Sequence, residues 1–114
     1  MADTENDIRF RAVKYDAHKP PMDLIPHEAM AGVSQVLDFG RHKYAAHNWR
    51  KGFQWGRLAG AALRHVFAWL GGEDKDPESG LSHIDHALCC LMFLSAHEKA
   101  KLGEDDRYKG EKNA

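Results

Sequence analysis

The spacing of apolar residues along the chain predicts three helices. In the first segment, apolar side chains recur at steps of three and four residues, the period of one helix face, and Pro26 suits a first helical turn. The second segment, Leu58 to Leu70, is apolar almost all round, which is typical of a central, buried helix. Ser82 followed by Asp85 matches a capping box and begins the third helix. The predicted fold class is therefore all-α, with three main helices over about residues 26–46, 57–71 and 82–100.

An extended arm precedes the predicted helices. Pro20 and Pro21 exclude a helix there and fix an extended path, so we expect the arm to lie over the helical body. We predict a flexible N-terminus over residues 1–11, a single helical domain over 12–100 and a polar C-terminal tail over 101–114. Because 114 residues leave room for only one core, we expect the chain to pack as a homo-oligomeric helical bundle.

Charge and composition exclude two classes of function. The formal net charge is −1, so the chain has no overall basic field that would hold long nucleic acid. The longest apolar run falls short of the roughly 20 residues of a membrane span, and the N-terminus lacks the basic start and apolar core of an export signal. Cys89 and Cys90 are adjacent in a helical pattern, which disfavours a bridge between them. We predict a cytoplasmic protein with reduced thiols and no membrane partner.

The break between the second and third helices concentrates possible metal ligands. It follows a Gly-Gly pair and carries acidic side chains beside histidines. Imidazole and carboxylate are both ligands of first-row metals, and His83 and His86 project from one helix face because they are three residues apart. The predicted metal site comprises His65, Glu73, Asp76, His83 and His86. The alternative is ordinary polar surface at a helix start, and Asp85 suits a capping role better than a catalytic one.

Cationic side chains predict an anion site near these ligands. Arg57 and Arg64 are seven residues apart, so they lie nearly on one line of the second helix and suit a bidentate grip of phosphate. Lys14 and Lys19 on the arm are expected to close over the same anion. Internal salt bridges are the alternative for the arginines, and solvation is the alternative for the lysines. Trp49 suits either stacking on a base or packing in the core.

Several motifs resemble, in their order, those of a known family. They are Lys14-Tyr15-Asp16-x-x-Lys19-Pro20, Phe39-Gly40-x-x-Lys43-Tyr44, Asn48-Trp49-x-x-Gly52, Leu63-Arg64-His65, and a long motif that runs from Gly72-Glu73 to His86-Ala87. Over about residues 12–97 the sequence resembles the phage-associated dATP/dGTP diphosphohydrolase N-terminal-type domain. It is also similar in outline to the all-α MazG-like nucleotide pyrophosphohydrolases. The chain departs from the MazG-like pattern because no Glu-Glu-x-x-Glu occurs on a helix.

The resemblance implies a domain that handles purine deoxynucleoside triphosphates with Mg²⁺ or another divalent ion such as Mn²⁺ or Zn²⁺. In our leading hypothesis, Glu73 and Asp76 of the break are the catalytic carboxylates. The residues expected on phosphate or nucleotide are Lys14, Lys19, Lys43, Arg57, Arg64 and Trp49. Our leading hypothesis is metal-dependent hydrolysis of dATP or dGTP in phage nucleotide metabolism, in the host cytoplasm. The rival hypotheses are a non-catalytic nucleotide-binding protein, acting as a sponge or accessory, and a structural oligomer.

Overall fold

Three helices make up the body of the molecule. The computed structural model describes residues 11–110, so the predicted flexible N-terminus lies outside the described residues except for residue 11. Within this described range the helices are α1 (His27–Lys43), α2 (Trp55–Leu70) and α3 (His83–Ala100), and short 3-10 turns lie at Met22–Leu24 and Asn48–Lys51. No strand occurs among the described residues, which contain only isolated bridges. The predicted all-α class is confirmed.

Local chemistry explains where the helices begin and end. Pro26 takes the N-cap position of α1, one residue before the helix. The Ser82 side chain accepts hydrogen bonds from the backbone N–H groups of Ile84 and Asp85, which is the interaction that the capping box predicted at the start of α3. Gly72 ends the chain reversal after α2 with a φ of 100°, a conformation that favours glycine. Cap and turn residues therefore set the helix boundaries close to the predicted ones.

The core lies where α1 meets α3. It contains Val33 and Val36 of α1 with Cys89 of α3, and Phe93 packs against it. α1 approaches α3 closely at Gly32, where an added Cβ would overlap the carboxylate of Asp85. Since α3 also contacts α2, it is the central helix of the three. None of the helices in residues 11–110 is long and apolar enough to cross a membrane.

The prediction that α2 is buried is wrong for the chain as described. Only Leu58 and Ala62 of this helix are buried. Leu63, Phe67 and Leu70 follow one face and are 54%, 65% and 65% exposed, because only the other side of α2 packs on α3. The radius of gyration is 19.5 Å, whereas about 13 Å is expected of a compact domain of 100 residues. Assembly into a homo-oligomer stays a prediction.

The N-terminal segment does not cover the helical body. A turn forms where the Lys19 N–H donates to the Asp16 carbonyl, and His18 has a φ of 69° there. All side chains from residue 11 to residue 28 are exposed, including Tyr15 at 87%. The expectation of an arm lying over the body is therefore not confirmed.

The tail after α3 is held against the start of α2. The Trp55 indole N–H donates to the Leu102 carbonyl at 2.8 Å, and the Gly56 N–H donates to the Asp106 carboxylate at 2.7 Å. His97 is fully buried beneath this contact. The Nε2 atom of His97 accepts a hydrogen bond from the Phe53 N–H, so the ring hydrogen is on Nδ1, which donates to the Phe93 carbonyl. Residues 102–106 thus form a clamp that the polar sequence of the tail did not reveal.

Candidate functional site

Two histidines and one aspartate come together between α2 and α3. One ligand atom from each of His65, Asp76 and His83 lies within 4.8 Å of the others, and we refer to these three residues as the His–Asp group. His65 belongs to α2, His83 is the first residue of α3, and Asp76 lies in the loop between the two helices. The Nδ1 atoms of the two histidines are 2.9 Å apart. His83 is 4% exposed, so this contact is protected from bulk water.

The α2–α3 loop, residues 71–82, folds back on itself and so brings Asp76 to the helices. The Asp76 N–H donates to the Leu81 carbonyl at 2.8 Å, and the His83 N–H donates to the Asp74 carbonyl at 3.0 Å. Gly80 makes the reversal with a φ of 73°. The Asp76 Oδ2 accepts from the backbone N–H groups of Glu78 and Ser79, which fixes the carboxylate. Local hydrogen bonds therefore hold the aspartate in place.

The other two predicted ligands surround this group without joining it. Glu73 lies behind His83, and its carboxylate accepts from His83 Nε2 at 2.7 Å. His86 Nε2 is 2.7 Å from the Ser79 hydroxyl, and the His86 ring stacks on His65 with centroids 4.6 Å apart. The structure thus brings three of the five predicted ligands together and places Glu73 and His86 next to them.

Burial and neighbouring charges set the protonation of the site. Burial lowers the pKa of His65 and of His86, and the other imidazoles nearby lower the pKa of His65 further. Burial raises the pKa of the Asp76 carboxyl, but the hydrogen bonds from Ser79 and the nearby imidazoles outweigh burial and leave the pKa below its ordinary value. Near neutral pH His65 therefore offers a neutral ring nitrogen beside the ionised carboxylate of Asp76, and both are donors for a metal ion.

An open cavity of about 1170 Å³ adjoins the His–Asp group. His65, Asp76 and His86 are among the residues that line it. The predicted nucleotide contacts that also line it are Lys43, Trp49, Arg57 and Arg64. Lys14 and Lys19 are exposed on the N-terminal segment and do not line it. Four of the six predicted nucleotide contacts thus share one cavity with the possible metal ligands.

The cationic side chains of this cavity differ in their partners. Lys43 forms an ion pair with Glu78 at 2.7 Å. Arg57 and Arg64 are exposed and have no ion pair with any residue from 11 to 110, so the alternative of internal salt bridges has no support there. Trp49 stacks on Phe93 with centroids 5.3 Å apart, so it also contributes to packing. The two arginines are therefore free to contact an anion.

Ser79 is the site residue that sequence reasoning missed. Its hydroxyl accepts from the Leu81 N–H and contacts His86, while its own N–H donates to Asp76. One residue thus fixes the loop, a histidine and the aspartate. Its position between Glu78 and Gly80 in the longest motif was the signal available in the sequence.

Comparison with known proteins identifies the family. Residues 11–107 match the family described as dATP/dGTP diphosphohydrolase, N-terminal. A protein of Salmonella phage PMBT28 named dATP/dGTP diphosphohydrolase is 37% identical over 95 residues, which are 83% of this chain and 32% of that protein. The chain therefore spans about a third of the length of this relative.

No solved structure matches the chain. The similarity to MazG-like enzymes stays a prediction, whereas the resemblance to the phage family is confirmed. The matched residues include all three helices, the α2–α3 loop and the His–Asp group. The chain belongs to the family dATP/dGTP diphosphohydrolase, N-terminal.

Proposed function

We propose that the chain binds a purine deoxynucleoside triphosphate in the cavity and hydrolyses it beside the His–Asp group with the help of a divalent metal ion. The observation that carries this proposal is that two arginines without an ion pair among residues 11–110 line the same cavity as members of the His–Asp group. The substrate class is suggested by the name of the phage relative, dATP/dGTP diphosphohydrolase. We propose a cytoplasmic location, as nucleotide hydrolysis requires access to the nucleotide pool.

Arg57 and Arg64 support the binding of a triphosphate. Each guanidinium can donate two parallel hydrogen bonds to a phosphate, and such charge-assisted bonds are about twice as strong as neutral ones. Lys43 of α1 also lines the cavity and is paired with Glu78, so it would add a third positive charge by exchanging this partner for phosphate. The proposed role of these side chains is to bind the phosphates and to orient the bond that is cleaved.

The donor atoms of the His–Asp group fit a divalent ion. Two imidazole nitrogens and one carboxylate oxygen are three protein ligands, which is the number that hydrolytic metal sites commonly use. When bound, such an ion neutralises phosphate charge and lowers the pKa of water. Asp76 would hold it. Among the loop carboxylates, Glu78 also lines the cavity, whereas Glu73 does not. We assign to Glu78 the acceptance of a proton from water, a role that requires Lys43 to leave its ion pair with Glu78 and bind phosphate instead.

Product release from dATP and dGTP tests this proposal. The purified chain is incubated with each nucleotide and with Mg²⁺, Mn²⁺, Co²⁺ or Zn²⁺, and phosphate and pyrophosphate are measured. We expect metal-dependent turnover that Arg64→Met weakens by about 10-fold or more, because one charged hydrogen-bonding partner contributes about 1.5–3 kcal/mol. Lys51→Met is the matched control, since Lys51 is exposed and does not line the cavity. Absence of turnover with every nucleotide and ion refutes the hydrolysis.

A second candidate function is binding without hydrolysis. It is favoured by a cavity whose lining is rich in cations, while the His–Asp group includes only one carboxylate. In this case calorimetry detects nucleotide binding, and the intact nucleotide is recovered after the protein is denatured. Recovery of the diphosphate or monophosphate instead supports the hydrolase.

A further inference from the structure

The ring nitrogens of His65 and His83 have the separation of two ligands on one ion. Nitrogen ligands lie about 2.0–2.1 Å from a first-row metal ion, so two of them at angles between octahedral and tetrahedral values are about 2.9–3.4 Å apart. The two Nδ1 atoms are 2.9 Å apart. An ion could therefore replace the hydrogen that now lies between the rings with little movement of either side chain.

Glu73 contacts His83 at the ring nitrogen that points away from His65. A histidine that binds a metal through one ring nitrogen usually donates the N–H of the other to a carboxylate, which fixes the tautomer and the ring orientation. His83 Nε2 lies 2.7 Å from the Glu73 carboxylate, while His83 Nδ1 faces His65. Glu73 is thereby a positioning residue for His83.

Asp76 supplies an oxygen on a carboxylate that is already oriented. Both of its backbone hydrogen bonds go to Oδ2, so the lone pairs of Oδ1 remain for another partner. Because His65 and Asp76 also line the cavity, the remaining coordination positions of an ion would face the place proposed for the phosphates.

This donor set discriminates between classes of metal ion. Mg²⁺ requires near-octahedral oxygen ligands and keeps several waters, whereas imidazole suits later first-row ions such as Fe²⁺, Ni²⁺ and Zn²⁺ better. We infer that the His–Asp group is a site for a first-row transition ion, that it fills without nucleotide, and that Mg²⁺ does not replace this ion. The role of the ion in turnover rests on the proposed function, but its binding does not.

Metal titration of the full chain, freed of metal with a chelator, tests the inference in the absence of nucleotide. Calorimetry follows Mn²⁺, Zn²⁺ and Mg²⁺, and visible absorption follows Co²⁺, whose spectrum reports nitrogen ligands. We expect one Co²⁺ per chain and an affinity for Mg²⁺ at least about 100-fold weaker than that for Zn²⁺. Equal affinities for Mg²⁺ and Zn²⁺ overturn the inference.

Variants identify the ligands. His83→Ala and His65→Gln should each weaken Co²⁺ binding by at least about 10-fold, and the second keeps a polar side chain in case the first does not fold. The control is His27→Ala, because His27 is highly exposed and does not line the cavity. Circular dichroism checks that each variant folds. If His65→Gln and His83→Ala both fold and titrate like the original chain, the inference is wrong.

The outcomes for the metal site and for the proposed function are separable. Binding of Co²⁺ without turnover of any nucleotide refutes the hydrolase and leaves the metal site. Turnover in a folded His65→Gln variant whose titration is unchanged refutes the metal site and leaves the hydrolase.

Discussion

Removal of the Glu73 carboxylate tests whether this residue positions His83 or takes part in the reaction itself. Loss of a hydrogen-bonding partner behind a metal-binding histidine commonly lowers metal affinity by about 10–100-fold. The Glu73 side chain is 52% exposed, so water can replace part of its 2.7 Å hydrogen bond. We therefore expect Glu73→Ala to weaken Co²⁺ binding by about 10-fold, which corresponds to about 1.4 kcal/mol. Glu73→Gln keeps an acceptor oxygen and should lose less.

Turnover at rising metal concentration is the assay that separates the two roles. If Glu73 only positions His83, excess metal restores turnover of Glu73→Ala to within about 2-fold, because the lost affinity is overcome by mass action. The role expected of Glu73 from the sequence, a catalytic carboxylate, predicts a loss of about 10²–10⁴-fold at every metal concentration. Asp74→Asn is the control, since Asp74 contacts His83 through its backbone carbonyl only. Unchanged metal affinity in Glu73→Ala would refute the reasoning.

Three further predictions concern the metal-free chain. Because His65 and His86 have lowered pKa values in the native state, the unfolded chain, whose histidines titrate near about pH 6.5, binds protons before the native chain as the pH falls. The free energy of unfolding in urea titrations should therefore stay level above about pH 7.5 and decrease between about pH 7.5 and 5.5. A rise in stability over that acidic range would contradict the buried, neutral histidines. Gly103→Ala should lower the free energy of unfolding by about 1–3 kcal/mol, because the added Cβ would overlap the Phe53 carbonyl and Gly103 has a φ of 71°. The melting temperature measures this loss, and an unchanged value would show that residues 102–106 do not hold the tail in place. Burial raises the pKa of the Cys89 thiol to about 12. Because the thiolate is the reactive form, Cys89 should react with a disulfide reagent at pH 8 about 10³-fold more slowly in the native state than in denaturant. Equal rates would refute the burial of Cys89.

The sequence predicts the helices well because their determinants are local. The Ser82 cap, Pro26 and the apolar period each act within one or two turns of the chain, so their effect is visible without tertiary contacts. The position of the C-terminal tail, in contrast, depends on contacts between residues that are distant in the sequence. Gly56 and Asp106 are 50 residues apart, and no local pattern in a polar segment indicates such a hydrogen bond.

The candidate site was predictable to the extent that it depends on types of residue and helix spacing. Placing His83 and His86 on one face of α3 followed from their separation, but which histidine turns toward His65 depends on Glu73 and Ser79 in the folded loop. The exposed face of α2 was missed for a related reason. A helix that is apolar on all sides is normally buried on all sides. Its sequence does not show whether the surface that buries it belongs to the same chain or to another one.

The first residue of α3 and the middle of α2 meet at the His65–His83 contact, although the two histidines are 18 residues apart along the chain. An ion held at that contact would act as a reversible crosslink between the two helices. Their amide hydrogens would then exchange with deuterated solvent more slowly in the loaded protein, and a chelator would accelerate exchange in both helices together. Binding of the ion would thus slow amide exchange along both helices, including at residues far from the ligands.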